Sequence, residues 1–245
     1  METNLRIEHE KEHGTLLSEG GAEDIWNWGS PAGKARAQRR SEFFSRCMQA
    51  GQTCLELGCG TGFFTRLVAF TGAKIIAVDI SEDLLEEARS KTDADNVTYE
   101  IADAHNLKYD DNTFDFVYGS SILHHLEIGP AMKEILRVLK PGGKMVFAEP
   151  NLVNPQIWAE RNIEYVRKKV GASPDETAFV RFTLEPMLKG AGFVNIDIKP
   201  HEFLHPAIPE KLIGFGKTIT GVLEKIPLLR EIGGSLLIEA DKPYN

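Results

Sequence analysis

Glu56 stands two residues before the first of three glycines at alternate positions, Gly58, Gly60 and Gly62. Glycine permits positive φ and removes the Cβ that would hold a ligand off the backbone. The residues before this loop suit a strand, and helical spacing follows it. A helix starting there offers free N–H groups and partial positive charge, which suit an anion. The dinucleotide fingerprint G-x-G-x-x-G needs its third glycine where Phe63 stands, and Gly62 comes one residue early. Asp79 closes a second apolar run and can accept from both hydroxyls of a ribose; a solvated Asp capping the next helix would read the same. Asp103 lies between Ala102 and Ala104, so its carboxylate can accept from an adenine amino group while the alanines leave room for the ring. His124 and His125 titrate near neutral pH, and a neutral imidazole can take a proton from an attacking hydroxyl or amine. The same Leu-His-His-Leu segment also suits a helix start where imidazoles bond backbone carbonyls.

The elements that must position these groups follow from periodicity. From residue 53 strands and helices alternate, the pattern of a parallel sheet covered on both faces. Strands are predicted over 53–58, 74–79, 97–102, 114–118, 144–148, 194–198 and 235–239. Helices are predicted over 63–70, 82–90 with Ser81 as N-cap, 130–139 ending at Lys140-Pro141-Gly142-Gly143, and 184–189. Residues 1–49 read as a helical N-terminal cap, polar and mobile over its start at 1–21. Its basic helix over 34–48 follows Ser30 as cap with Pro31 in the first turn. Trp26 and Trp28, beside a glycine-rich turn, suit either a cover over the site or plain surface packing. Residues 50–245 read as one α/β domain with insertions at about 155–181, charged and helical, and 203–234. In the second insertion Leu212, Phe215, Ile219, Val222, Leu223 and Ile226 fall on one helical stripe. Gly214, Gly216 and Gly221 predict a broken or mobile helix there. The stripe is expected to pack partly on the domain and partly to line a substrate entrance facing Trp26 and Trp28; a homodimer interface is its other use.

A chain of 245 residues fits one decorated domain. Its net charge of −8 argues against sequence-independent nucleic-acid binding, which needs a basic field. Cys47, Cys54 and Cys59 form no CxxC pair and read as reduced thiols of a cytoplasmic protein. The charged N-terminus does not read as a signal peptide. No apolar run reaches the roughly 18 residues that span a bilayer.

The Glu-x-Gly-x-Gly-x-Gly pattern resembles motif I of class I S-adenosylmethionine (SAM) methyltransferases. The series extends in order through Asp79, Asp103-Ala104, Phe114-Asp115-Phe116-Val117-Tyr118, Ser121-Ile122-Leu123-His124-His125-Leu126 and Val138-Leu139-Lys140-Pro141-Gly142-Gly143. Together these resemble the type 11 SAM methyltransferases, the group that includes ubiquinone/menaquinone biosynthesis C-methyltransferases. The resemblance covers about residues 50–150. It implies a Rossmann-like, doubly wound, seven-stranded, mostly parallel sheet with an antiparallel last strand. It implies SAM as cofactor, S-adenosylhomocysteine (SAH) as product, and cofactor contacts from Glu56, Gly58, Cys59, Gly60, Thr61, Gly62, Asp79, Ile80, Asp103 and Ala104. Ser120 is then expected beside the sulfonium, and His124 or His125 is the candidate catalytic base. The reaction is in-line displacement, with nucleophile, methyl and sulfur aligned at contacts of about 3 Å. No Asn/Asp-Pro-Pro-Tyr follows strand four, which lowers the weight of nucleic-acid bases as acceptors. No Asp/Asn cluster of the Mg²⁺-using kind is present there, so metal-free transfer is expected. The acceptor is expected to be a small molecule, with hydrophobic or lipid-linked ones favoured by the apolar stretch over 203–234. The alternatives are a protein methyltransferase and a non-catalytic SAM-binding partner subunit. An NAD-dependent oxidoreductase is disfavoured by the third glycine.

Overall fold

Strand β1 (Thr53–Leu57) is buried along nearly its whole length, so its side chains need cover on both faces of a sheet. The computed structural model, which describes residues 2–170, 176–206 and 208–244, supplies that cover. β1 pairs in parallel with β2 (Lys74–Asp79) on one side and β4 (Phe114–Ser120) on the other. β3 (Val97–Ile101) extends the parallel sheet beyond β2, and β5 (Leu139–Pro150) extends it beyond β4. β7 (Ser235–Asp241) lies antiparallel between β5 and β6 (Val194–His201), giving the order β3-β2-β1-β4-β5-β7-β6. The seven strands and the antiparallel last strand match the expected fold.

Alternation along the strands sorts the core into two layers. Leu55, Val117 and Phe147 join the cluster under α6 (Ile128–Val138) and α9 (Arg181–Ala191). Cys54, Phe116, Tyr118 and Val146 join the cluster under α3 (Pro31–Ser45), α4 (Phe63–Val68) and α5 (Glu82–Lys91). Two helix starts follow the predicted chemistry. Ser30 Oγ accepts from Gly33 N–H ahead of α3, and Ser81 Oγ accepts from Leu84 N–H ahead of α5.

The structure corrects several local expectations. Residues expected to be mobile at the N-terminus form α1 (Glu2–Gly20), followed by the short α2 (Ala22–Ile25). The apolar residues of α1 make no stripe, so periodicity does not announce it. It is held by contact with α5. Gly14 lies so close to Ser81 that a Cβ would come within 2.7 Å of Ser81 Oγ, and Thr15 Oγ1 donates to Asp83 at 2.7 Å. β5 begins at Leu139, five residues early; the β4–β5 register shifts between Phe114 and Phe116, and such an irregularity tolerates Pro141 in the strand. Within 155–181, α7 (Pro155–Asn162) and α8 (Glu164–Val170) form, while 171–175 lie outside the described residues.

The apolar stripe over 203–234 is not packed as expected. Leu212, Phe215, Ile219, Val222 and Ile226 are 39–66% exposed. α10 (Ile213–Leu223) runs unbroken through its three glycines, and the chain breaks only before α11 (Pro227–Arg230). α10 seats itself by its small side: Thr220 is buried, and a Cβ on Gly216 would come within 2.8 Å of Leu204. Leu204 in turn packs on Ala32 and Ala35 of α3, and Arg39 pairs with Glu224 at 2.7 Å. No helix among the described residues is long and apolar enough to cross a membrane.

Candidate active site

Strand order reverses between β1 and β4, and a crevice opens there at the carboxyl ends of the strands. It holds a cavity of about 400 Å³. All the cofactor residues expected from sequence line it except Thr61 and Gly62. Thr61 is buried behind the loop, its Oγ1 donating to Glu23 Oε1 at 3.0 Å, and Gly62 is the N-cap of α4. Gly58 and Gly60 take φ of 64° and 52°; a Cβ on Gly58 would strike Ile122 at 2.5 Å, and one on Gly60 would come within 3.1 Å of Trp26.

Three carboxylates mark successive strand ends. Glu56 Oε2 accepts from Thr65 Oγ1 at 2.6 Å and Tyr118 OH at 2.8 Å. Burial outweighs these bonds and pushes the Glu56 carboxyl up to about 7. Asp79 Oδ2 accepts from Gly60 N–H at 2.8 Å and Oδ1 from Ser81 N–H at 3.0 Å, so it ties the glycine loop to β2. Burial raises its pKa against those backbone bonds. Asp103 Oδ1 accepts from His105 N–H and meets His105 Nδ1, both at 2.8 Å. His105 Nε2 accepts from Glu127 N–H at 2.9 Å, which leaves the ring proton on Nδ1 for Asp103.

His124 and His125 follow β4 in a short 3₁₀ turn, their ring centroids 4.2 Å apart. Glu149, at the end of β5 and fully buried, accepts from Ile122 and Leu123 N–H through Oε1, both at 2.9 Å. Its Oε2 lies 2.8 Å from His124 Nδ1. An oxygen pair already taking two backbone protons serves as acceptor here too, so Nδ1 carries the proton and Nε2 keeps its lone pair. Burial, then the neighbouring His125, hold the His124 pKa below its ordinary value, outweighing Glu149. His125 is shifted the other way. Burial lowers it, but Glu10 of α1, with Oε2 at 2.9 Å from Nδ1 though off the hydrogen-bond line, and then Glu176 raise it by more. His124, His125 and Glu176 also bring three metal-capable atoms within 4.8 Å of one another. Glu176 is already paired with Arg161 at 2.7 Å.

Both tryptophans reach the cavity. Trp28 does so while packing, stacked on Phe63 at 5.7 Å and edge-on to Phe64 at 5.3 Å. No described residue of 203–234 lines the cavity, so the expected entrance wall is not formed by that stripe. Sequence reasoning missed Glu149, Glu10 and the α3 arginines Arg36 and Arg40, all of which reach the site. The acid ending the apolar run of β5 was the one local signal for Glu149.

Residues 55–147 match the family described as methyltransferase domain. A demethylmenaquinone methyltransferase of Clavibacter sepedonicus is 33% identical over 171 residues, which cover 60% of this chain and 68% of the relative. The ubiquinone/menaquinone biosynthesis C-methyltransferase UbiE of Escherichia coli K12 is 32% identical over 180 residues, covering 61% and 69%. The fold resembles that of a Haloferax volcanii methyltransferase solved with the Trm112 methyltransferase activator (TM-score 0.66, 22% identity, 95% of this chain and 98% of that one). It also resembles Haemonchus contortus phosphoethanolamine N-methyltransferase 2 in complex with phosphomonomethylethanolamine and SAH (TM-score 0.67, 22% identity, 92% and 57%). The glycine loop at the switch point, the ordered series of motifs and these relatives lead to one assignment: the chain belongs to the type 11 family of class I SAM-dependent methyltransferases.

Proposed function

We propose that the chain methylates a small-molecule acceptor in this crevice, with His124 as the base. The observation that carries the reading is the His124–Glu149 pair, which leaves an imidazole lone pair on a residue lining the cavity. The cavity suits the cofactor. Gly58 and Gly60 expose backbone without Cβ, and Glu56, Asp79 and Asp103 stand at consecutive strand ends. In this reading Glu56, Gly58, Cys59 and Gly60 hold the methionine end, while Thr61 and Gly62 support them from behind. Asp79 takes the ribose hydroxyls, using lone pairs left over from its bonds to Gly60 and Ser81. Ile80, Asp103 and Ala104 take the adenine, and Ser120 lies beside the sulfonium. SAM when bound supplies an electrophilic methyl group. The chain supplies alignment and a place for the acceptor's proton, at His124 Nε2. α1 lies across the cavity through Glu10, Gly14 and Leu17, which favours exclusion of water. The relatives named for quinone biosynthesis, and the aromatic walls at Trp26, Trp28 and Phe63, favour a hydrophobic or lipid-linked acceptor.

The cofactor assignment is tested by calorimetry with SAH. Asp79→Ala is expected to weaken binding by roughly 1–3 kcal/mol, the cost of unpairing such groups. Unchanged affinity would remove Asp79 from the ribose.

A second expectation concerns pH. Burial raises the Glu56 carboxyl from 4.5 to about 7, so ionising it costs the unliganded fold stability as pH rises through that window. An ammonium group bound beside it favours the ionised form. SAH affinity is therefore expected to rise between about pH 6 and 8, with proton release on binding near pH 7. Calorimetry in buffers of different ionisation enthalpy reads that proton, and Glu56→Gln should abolish it. A pH-independent affinity would mean that Glu56 does not meet the ammonium.

A further inference from the structure

Arg36 and Arg40 lie one turn apart on α3, and both line the same cavity. Each guanidinium sits 5.3 Å from the centroid of the Trp28 ring, held by cation–π contact. Arg40 is 3% exposed and, among the described residues, donates only to hydroxyls: Nη1 to Ser120 Oγ at 2.9 Å and Ser121 Oγ at 3.2 Å, Nη2 to Ser235 Oγ at 2.8 Å. Arg36 makes no hydrogen bond or ion pair with a described residue, and the Nε of both groups is buried without a partner. The carboxylates whose charge reaches them are engaged elsewhere. Neither makes an ion pair with Arg36 or Arg40: Glu202 pairs through Oε1 with Arg39 at 3.4 Å while its Oε2 is buried without a partner among the described residues, and Glu149 holds His124. A buried Arg40 and a half-buried Arg36 with no carboxylate in direct contact are costly, and such charges are normally paired.

The cofactor does not settle this debt of charge. SAM carries one carboxylate against an ammonium and a sulfonium, so a loaded cavity gains positive charge overall. Even if the carboxylate met one guanidinium, the other would stay unpaired. Ser120 and Ser121, which Arg40 touches, lie at the carboxyl end of β4 on the side where the sulfonium is placed above. A missing anion there belongs with the other reactant. We propose that Arg36 and Arg40 form a subsite for an anionic group, a carboxylate or phosphate, carried by the methyl acceptor. This rests on the reading of the crevice as the SAM site. It narrows the acceptor to an anionic small molecule, with an apolar part against the aromatic walls.

The test is a titration of the SAH-saturated protein with octyl phosphate, with octanol as the neutral probe. SAH binding is read first, and its absence overturns the cofactor reading and this proposal with it. With SAH bound, octyl phosphate is expected to bind at least about tenfold more tightly than octanol, the margin of a charge-assisted hydrogen-bonded pair. Arg36→Gln should remove that margin, Arg36→Lys should keep part of it, and neither should change SAH affinity to the same degree. Equal binding of the two probes overturns the proposal. So does competition between octyl phosphate and SAH, or a loss of SAH affinity in Arg36→Gln as large as the loss for phosphate. Those results would assign the arginines to the cofactor's own carboxylate.

Discussion

Replacing His124 by alanine is expected to slow methyl transfer by about 10²- to 10⁴-fold while leaving SAH affinity largely intact. The expectation follows from how the ring is held. Glu149 fixes the tautomer through Nδ1 and is itself pinned by two backbone N–H groups, so the base would keep one orientation through the reaction. Burial and the neighbouring His125 keep the imidazole neutral at ordinary pH. The acid limb of kcat/KM should therefore inflect below about 6.5, the ordinary histidine value. His125→Ala removes one of the causes of that lowering and should move the limb upward. Glu149→Gln, a positioning change, should lower kcat and shift the limb while SAH still binds. Full activity of His124→Ala on an established acceptor would end the base assignment. It would favour a carbon nucleophile, or an acceptor that loses its proton unaided.

The parts of the site that sequence reasoning reached are those set by neighbours in the chain. Gly58, Gly60 and Asp79 owe their positions to one β-loop-α unit and the strand after it. The Ser30 and Ser81 caps act over three residues. What it missed depends on pairs far apart in sequence. Glu149 meets His124 from 25 residues away, and Arg40 meets Ser235 from 195. α1 carries no apolar stripe and is recognisable only once α5 is in place beneath it. α10 misled for the opposite reason. Its stripe is real, but the helix packs through Gly216 and Thr220, whose small side chains allow closer approach to Leu204 and α3 than its large ones would. Helical periodicity reports that an apolar face exists; it does not report which face the rest of the chain can reach.

Gly33→Ala is expected to destabilise the protein by about 1–3 kcal/mol, although alanine is intrinsically the better helix former by about 1 kcal/mol. A Cβ at this first turn of α3 would lie 1.9 Å from the Asn27 carbonyl oxygen and 2.9 Å from Trp28 Cα. Both are backbone atoms, so no change of rotamer relieves the clash. The turn it would displace is already constrained. Asn27 takes φ of 60°, Ser30 Oγ donates to its carbonyl at 3.0 Å, and the same Oγ accepts from Gly33 N–H at 2.9 Å. That turn carries Trp26 and Trp28 to the cavity, and Trp28 in turn supports Arg36 and Arg40. Thermal unfolding should thus show a lower Tm, and SAH should recover less of it than in the wild type because the cavity wall has moved. Gly221→Ala supplies the opposite sign. A Cβ there meets nothing within 4 Å in the last turn of α10, so the substitution should stabilise by about 0.5–1 kcal/mol. If Gly33→Ala instead matched Gly221→Ala in raising Tm, the Asn27 turn could not be packed against α3, and the tryptophan wall would need another support.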